Sequence, residues 1–309
     1  MNTVKNYLSL VKFSHTIFAL PFALIGFFLA LYAPASFAPS QWNLNLTIKW
    51  ASPLDYLSWQ FLLKQFILII LCMVTARSAA MAFNRYLDKS FDAKNPRTAI
   101  REIPAGIISS SSALRFVILS CILFIACTFF INTICFALSP VALFVILFYS
   151  YTKRFTALCH LVLGLGLSLA PIGAYLAVTG SFAVLPVLFS FTVLFWVSGF
   201  DIIYALQDVD FDRANKLHSI PARLGKRNAL RVSKILHFFS AIMVIIAGLS
   251  SGFGILYWIG VAIFCGMLVY QHSIVKHDDL RRVNIAFMTA NGIASVVFAV
   301  FVIADLFIR

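Results

Sequence analysis

The chain has 309 residues, 61% hydrophobic and only 11% charged, with a mean hydropathy of +0.94. Its apolar runs exceed the ~20 residues a membrane helix needs, which excludes a soluble globular domain. The net charge of +13 would suit nucleic acid, but the basic residues cluster between apolar runs, so no nucleic-acid partner is expected.

Nine spans are predicted, at about 13–33, 61–86, 113–131, 133–150, 160–179, 184–206, 232–250, 253–271 and 284–306. Spans three and four meet at a tight turn, Asn132–Thr133. The fold class is therefore all-α, a polytopic membrane bundle of nine helices forming one domain over 1–309. The lipid bilayer is its first partner.

Lys5 and Lys12 precede span one. Arg85, Lys89, Lys94, Arg97, Arg101 and Arg115 follow span two. Lys153 and Arg154 follow span four, seven basic residues from Arg213 to Lys234 follow span six, and Lys276, Arg281 and Arg282 follow span eight. The opposite side carries Lys49, Lys64 and Arg309. This asymmetry predicts a cytoplasmic N-terminus and an outer C-terminus in a bacterial cytoplasmic (inner) membrane. The long loop at 34–58 then lies outside, with Trp42, Trp50 and Trp59 suited to an interface and a sequon at Asn45. A signal peptide over 1–38 is the rival reading of the first run, but its removal would leave an even span count. The six cysteines lie in or beside spans without a C-x2-C and read as packing residues.

Only 11 residues are Asp or Glu, and six of them fall in two stretches. Asn84, Asp88 and Asp92 form N-x3-D-x3-D after span two. Asp201, Asp208 and Asp212 form D-x6-D-x3-D at the end of span six, with Asp210 in addition. An Asp at the centre of a membrane helix costs about 2.5–3.5 kcal/mol. On an ideal helix Asp201, Asp208 and Asp212 fall within about 40° of one another, and Asp210 falls opposite. That phase requires the helix to run on past Gln207. Asn84, Asp88 and Asp92 spread over about 80°, with Arg77 within about 20° of Asn84 and two turns deeper. A single such Asp would read as a solvated helix end. Two spaced triads at one side of the membrane point to divalent cations bridging to an anionic substrate.

These motifs resemble the UbiA superfamily of intramembrane aromatic prenyltransferases. Arg77 to Gly106 is similar to the family's first signature. Tyr149 to Thr156 looks like its Y-P-x-x-K-R segment, with Ser150 where proline is usual, and Asp201 to Gly225 looks like the second signature. Residues 166–180 and the R-E-I-P-A-G run resemble the quinone-pathway branch. The resemblance implies a UbiA-like fold and transfer of a polyprenyl group from polyprenyl diphosphate to an aromatic acid acceptor. That acceptor would be 4-hydroxybenzoate or 1,4-dihydroxy-6-naphthoate, on the way to ubiquinone or menaquinone.

The resemblance also implies Mg²⁺, one ion held by Asn84, Asp88 and Asp92 and another by Asp201, Asp208 and Asp212. Asp88, Asp92, Asp201 and Asp208 would be catalytic. Arg77, Arg101, Tyr149 and Lys153 would bind diphosphate, and Arg154 the acceptor carboxylate. Arg77 could instead only pair with a nearby Asp, and Arg154 could only serve topology. His15 could lie near the acceptor or be interfacial, and His218 could cap the site or be solvated. His160, His237, His272 and His277 lack ligand spacing. The loops 93–112 and 213–231 read as lids.

Transfer to haem, a chlorophyll precursor or a glycerol lipid is the alternative within the family. A cation-coupled transporter is the alternative outside it, although transporter acids usually sit near the midplane beside broken helices.

Overall fold

A computed structural model describes residues 3–12, 18–32 and 58–308. Trp42, Trp50, the sequon at Asn45 and His15 lie outside the described residues. The described chain is helical throughout. Short α1 (Thr3–Leu10) is followed by α2 (Leu20–Leu31), α3 (Trp59–Leu87) and α4 (Lys89–Lys94). Then come α5 (Ser110–Ile131), α6 (Thr133–Thr152), α7 (Cys159–Thr179), α8 (Val184–Ala205) and α9 (Val209–Ala214). The last are α10 (Ile220–Ser251), α11 (Ile255–Ile274) and α12 (Asn291–Ile308).

Eight of the described helical segments are long and apolar enough to cross a membrane. The first predicted span contributes α2, a shorter apolar helix of 12 residues. The expected bundle of nine thus appears as eight long helices and one short one among the described residues.

The boundaries follow local chemistry. Ser58, Ser109, Asn132 and Ser219 each cap a helix with a side-chain oxygen that accepts a backbone N–H. Asn132 also donates to Leu176 O at 2.8 Å, so the predicted turn between spans three and four is tied to α7. α10 begins at Ile220, twelve residues before the predicted start of span seven at 232. Capped by Ser219, it breaks at Gly225 (φ 78°, ψ 161°) and then runs on to Ser251, so the second expected lid is reduced to the link between α9 and α10 and this break.

Lipid offers apolar groups no drive to associate, so the helices must hold by packing and polar contacts. α8 packs between α7 and α10, α2 lies on α7, α3 on α5, and α11 on α12. A Cβ at Gly26 would lie 2.0 Å from the Pro171 carbonyl oxygen, so glycine there permits the α2–α7 contact. The core is aromatic: Trp196, Tyr257, Phe22, Phe189, Phe264 and Phe298 are fully buried. Phe129, Phe130, Phe144 and Leu249 face outward, as a lipid-facing surface requires.

Candidate active site

The two acidic clusters meet. A cavity of about 290 Å³ is lined by the ends of α3, α6 and α8, the start of α7, α4, and the turns after α4 and α8. Asn84, Asp88, Asp92, Asp201, Asp208 and Asp212 all line it, as do Arg77, Arg101, Tyr149, Lys153 and Arg154. All eleven predicted site residues therefore share one wall-to-wall space.

The first cluster keeps its phase across a break. α3 ends at Leu87 and α4 starts at Lys89, but Asp88 N still donates to Asn84 O, and Asp92 N to Asp88 O. Asn84, Asp88 and Asp92 thus stay on one face.

The second cluster does not follow a straight helix. α8 stops at Ala205, a 3₁₀ turn spans Leu206–Asp208, and α9 starts at Val209. The expected continuation past Gln207 is corrected here: polar residues tighten the chain after the last apolar turn. The side on which each acid lies nevertheless agrees with the phase argument. Asp212 is fully buried and Asp210 is exposed and outside the cavity lining.

Every cavity carboxylate has a basic partner. Arg154 Nη2 donates to Asp88 Oδ1 at 3.1 Å and to Leu87 O at 2.8 Å. Arg101 Nη1 reaches both Asp92 oxygens, at 2.7 and 2.9 Å. Arg97 grips Asp208 through Nη2 at 2.6 Å and Nε at 3.1 Å, and donates to Tyr204 OH at 2.9 Å. Lys153 Nζ stands 2.7 Å from Asp212 Oδ1, whose Oδ2 accepts from Ser219. His160 Nδ1 lies 2.6 Å from Asp201 Oδ2. Ile220 N donates to His160 Nε2 at 3.4 Å, so the ring proton sits on Nδ1, facing Asp201.

Burial pushes the Asp88 carboxyl above its ordinary range, against the opposing pull of Arg154. Burial alone would lower the Lys153 ammonium, but Asp212 beside it outweighs that and raises it. Among the described residues Arg77 Nε is buried with no hydrogen-bond partner, and no Asp forms an ion pair with Arg77, so simple pairing with a nearby Asp is not seen there. Arg77 and Tyr149 also line a second, mainly apolar cavity of about 420 Å³ between α3, α5, α6 and α7.

Part of the cavity wall is aromatic. Phe287 stacks on Tyr204 with ring centroids 4.2 Å apart, and Phe18 lies 5.3 Å from both Phe200 and Phe287. These four rings line the cavity.

Sequence reasoning missed several members. Arg97 and Asn95 lie inside the first signature run, and the four-residue spacing of Arg97 and Arg101 was an available signal. His160 has no sequence neighbour that would flag it; only the fold brings Asp201 to it. Ser219 is legible as a helix cap but not as a partner of Asp212. His218 is exposed and does not line the cavity, although its backbone N–H donates to Lys153 O. The first expected lid, after α4, does reach over the site through Arg97 and Arg101.

The donor set is hard oxygen from carboxylates and one amide, the chemistry that suits Mg²⁺ rather than a soft metal. Among the described residues no three acidic, His or Cys side chains converge on a single ion. Each of these carboxylates is instead paired with a basic side chain. Residues that can exchange those partners for cations fit the expected metal.

The profile of the UbiA prenyltransferase family matches residues 19–293. The 4-hydroxybenzoate octaprenyltransferase of Nitrosospira multiformis is 30% identical over 262 residues, covering 84% of this chain and 87% of that protein. The protein of the same name from Methylococcus capsulatus is 31% identical over 236 residues, 75% of this chain and 79% of its own. A UbiA homologue from Aeropyrum pernix K1 superposes with a TM-score of 0.74 at 27% identity, covering 95% of this chain and 97% of that one. A homologue from Archaeoglobus fulgidus, bound to GPP and Mg²⁺, gives 0.72 at 18% identity over 97% and 99%, a likeness of fold.

Proposed function

The chain belongs to the UbiA prenyltransferase family, and we propose that it transfers a polyprenyl group to 4-hydroxybenzoate with Mg²⁺. The observation that carries this reading is the convergence of both acidic clusters, each with bases in attendance, beside an aromatic wall. The names of the relatives supply the acceptor and the prenyl class. The proposed setting is a bacterial cytoplasmic membrane with the site and N-terminus on the cytoplasmic side, as the charge asymmetry supports.

In this reading Asn84, Asp88 and Asp92 would hold one Mg²⁺, and Asp201, Asp208 and Asp212 the other, and ions so held would supply charge neutralisation for the diphosphate leaving group. Arg97, Arg101 and Lys153 would donate to diphosphate oxygens in place of the carboxylates they now grip, and Arg77 and Tyr149 would donate beside them. The allylic C–O bond breaks and its electron pair leaves with the diphosphate. The acceptor carbon next to the hydroxyl forms the new C–C bond, and the ring proton is then lost. Arg154, once off Asp88, is placed to take the acceptor carboxylate. Asp201, oriented by His160, is the carboxylate suited to receive a proton.

The testing experiment offers purified protein 4-hydroxybenzoate, 1,4-dihydroxy-6-naphthoate, haem and a glycerol phosphate lipid, with a ladder of prenyl diphosphates. Mass spectrometry should find prenylated 4-hydroxybenzoate in excess. Exclusive labelling of another acceptor would move the enzyme to a different branch. Ion flux without product would favour a transporter.

A further inference from the structure

The aromatic wall of the cavity is anchored by a buried polar node that the proposed chemistry does not use. The chain does not enter α12 as an α-helix. Residues Ile285–Ala290 form a π-helical turn. Such turns leave carbonyls without the usual partner and recur at functional sites. Here the Asn291 side-chain amide donates to two carbonyls of the turn, Ala286 O at 3.1 Å and Phe287 O at 3.0 Å. The same side chain's oxygen accepts from Trp196 Nε1 and from Gln271 Nε2, each at 2.8 Å.

A primary amide offers two N–H donors and two lone pairs. Asn291 uses all four. Asn291, Trp196 and Gln271 have no exposed surface, so loss of the node strands several buried polar groups at once. The bonds run to α8, to α11 and back into the π-turn. They therefore fix where that turn sits against the rest of the bundle.

The residue the turn presents is Phe287. Its ring stacks on Tyr204 at 4.2 Å and meets Phe200 at 5.5 Å and Phe18 at 5.3 Å. Tyr204 is in turn held by Arg97, the residue that grips Asp208. The line from Asn291 to the second acidic cluster is thus continuous.

We infer that Asn291 is a positioning residue: through the π-turn it fixes the Phe287 ring as a rigid aromatic face toward the carbon that becomes cationic when diphosphate departs. The inference rests on the prenyl-transfer reading for its chemistry, but its structural half stands alone. A ring face stabilises a nearby cation only if it is held in place, since displacement of the ring weakens the attraction. Asn291 therefore acts on the transition state rather than on substrate capture.

The test introduces 4-fluorophenylalanine at position 287 and records fluorine NMR in micelles. The otherwise unchanged protein is compared with Asn291→Ala, Gln271→Met and Trp196→Phe. One narrow resonance is expected in the first, and a shifted or broadened one in all three variants, most strongly in Asn291→Ala. Gln271→Met removes one donor with little change of volume, so it covers the case in which Asn291→Ala does not fold. In kinetics, Asn291→Ala and Phe287→Leu should each lower kcat by about 10-fold or more, with KM for prenyl diphosphate within about 2-fold. The double variant should be no more than about 2-fold slower than the slower single one, because both act through one ring. A resonance unmoved in Trp196→Phe and Gln271→Met, an unchanged kcat, or losses that multiply would each overturn the inference. If the unchanged protein makes no product, the functional reading fails with the catalytic half, and the fluorine signal still decides the structural half.

Discussion

Arg97, on the turn after the first acidic cluster, grips Asp208 of the second with two nitrogens, at 2.6 and 3.1 Å. The two halves of the site are thereby latched through a residue of the loop that covers it. In the proposed reading the latch would compete with a metal ion for Asp208 and would supply a guanidinium for diphosphate on opening.

Arg97→Gln should therefore change two affinities in opposite directions. Mg²⁺ alone should bind more tightly, because the competing guanidinium is gone. KM for prenyl diphosphate should rise by about 10-fold, the scale of a lost charge-assisted hydrogen bond. Calorimetric titration of Mg²⁺ reads the first, and steady-state kinetics against prenyl diphosphate read the second. Parallel weakening of both would show that Arg97 only holds the loop in place.

Asp212 and Asp210 should separate cleanly. Asp212 is fully buried against Lys153 and Ser219, and Asp210 is exposed and outside the cavity lining. Asp212→Asn should lower turnover by at least ~100-fold, as expected on losing a major electrostatic group. Asp210→Asn should keep most activity and leave Mg²⁺ affinity unchanged. Equal severe losses would mean that the turn at Leu206–Asp208 reopens in the working enzyme.

Asp88 carries a pH signature. Its carboxyl is raised by burial above the unfolded value near 3.9. The folded protein therefore holds more protons than the unfolded chain between those two values, so metal-free stability from this group is lost as pH rises through the folded value. Asp88→Asn should flatten that fall in thermal scans without Mg²⁺. With Mg²⁺ the sign reverses, because the ion needs the carboxylate: affinity should weaken on acidification at a pH above the usual carboxylate range. A wild-type stability curve that rises with pH across this window, unchanged by Asp88→Asn, would contradict the assignment.

Topology is open to direct labelling. In a cysteine-free background, Arg97→Cys should be protected from membrane-impermeant reagents in intact cells, and exposed after lysis. Labelling from outside would invert the bundle and place the site on the far face of the membrane.

Much of this architecture is legible in the sequence because a membrane simplifies the problem. Apolar length marks α3, α5 to α8 and α10 to α12, and helical spacing alone groups Asn84 with Asp88 and Asp92. The break at Leu206–Asp208 was not legible, since the same residues suit a continued helix until the neighbouring α10 and Lys153 are in place. The ion pairs were hidden for a related reason. Asp201 and His160 stand on different helices, and Arg97 reaches Asp208 across 111 positions. Spacing reports only what shares an element, and here every acid but Asp92, whose partner Arg101 is nine residues on, takes its partner from a distant stretch of the chain. The aromatic wall was masked by abundance, because 32 Phe residues give no sign of which will line a cavity.

The most direct test of the central claim is product formation by purified protein with polyprenyl diphosphate and 4-hydroxybenzoate, followed by mass spectrometry as Mg²⁺ is titrated. Wild-type protein should form prenylated acceptor only with the metal present. Asp88→Ala and Asp208→Ala, one from each cluster, should each lose at least ~100-fold in turnover while remaining folded in the membrane. Near-normal turnover by either variant, or full turnover in a chelator, would contradict a site in which both clusters hold metal around one diphosphate.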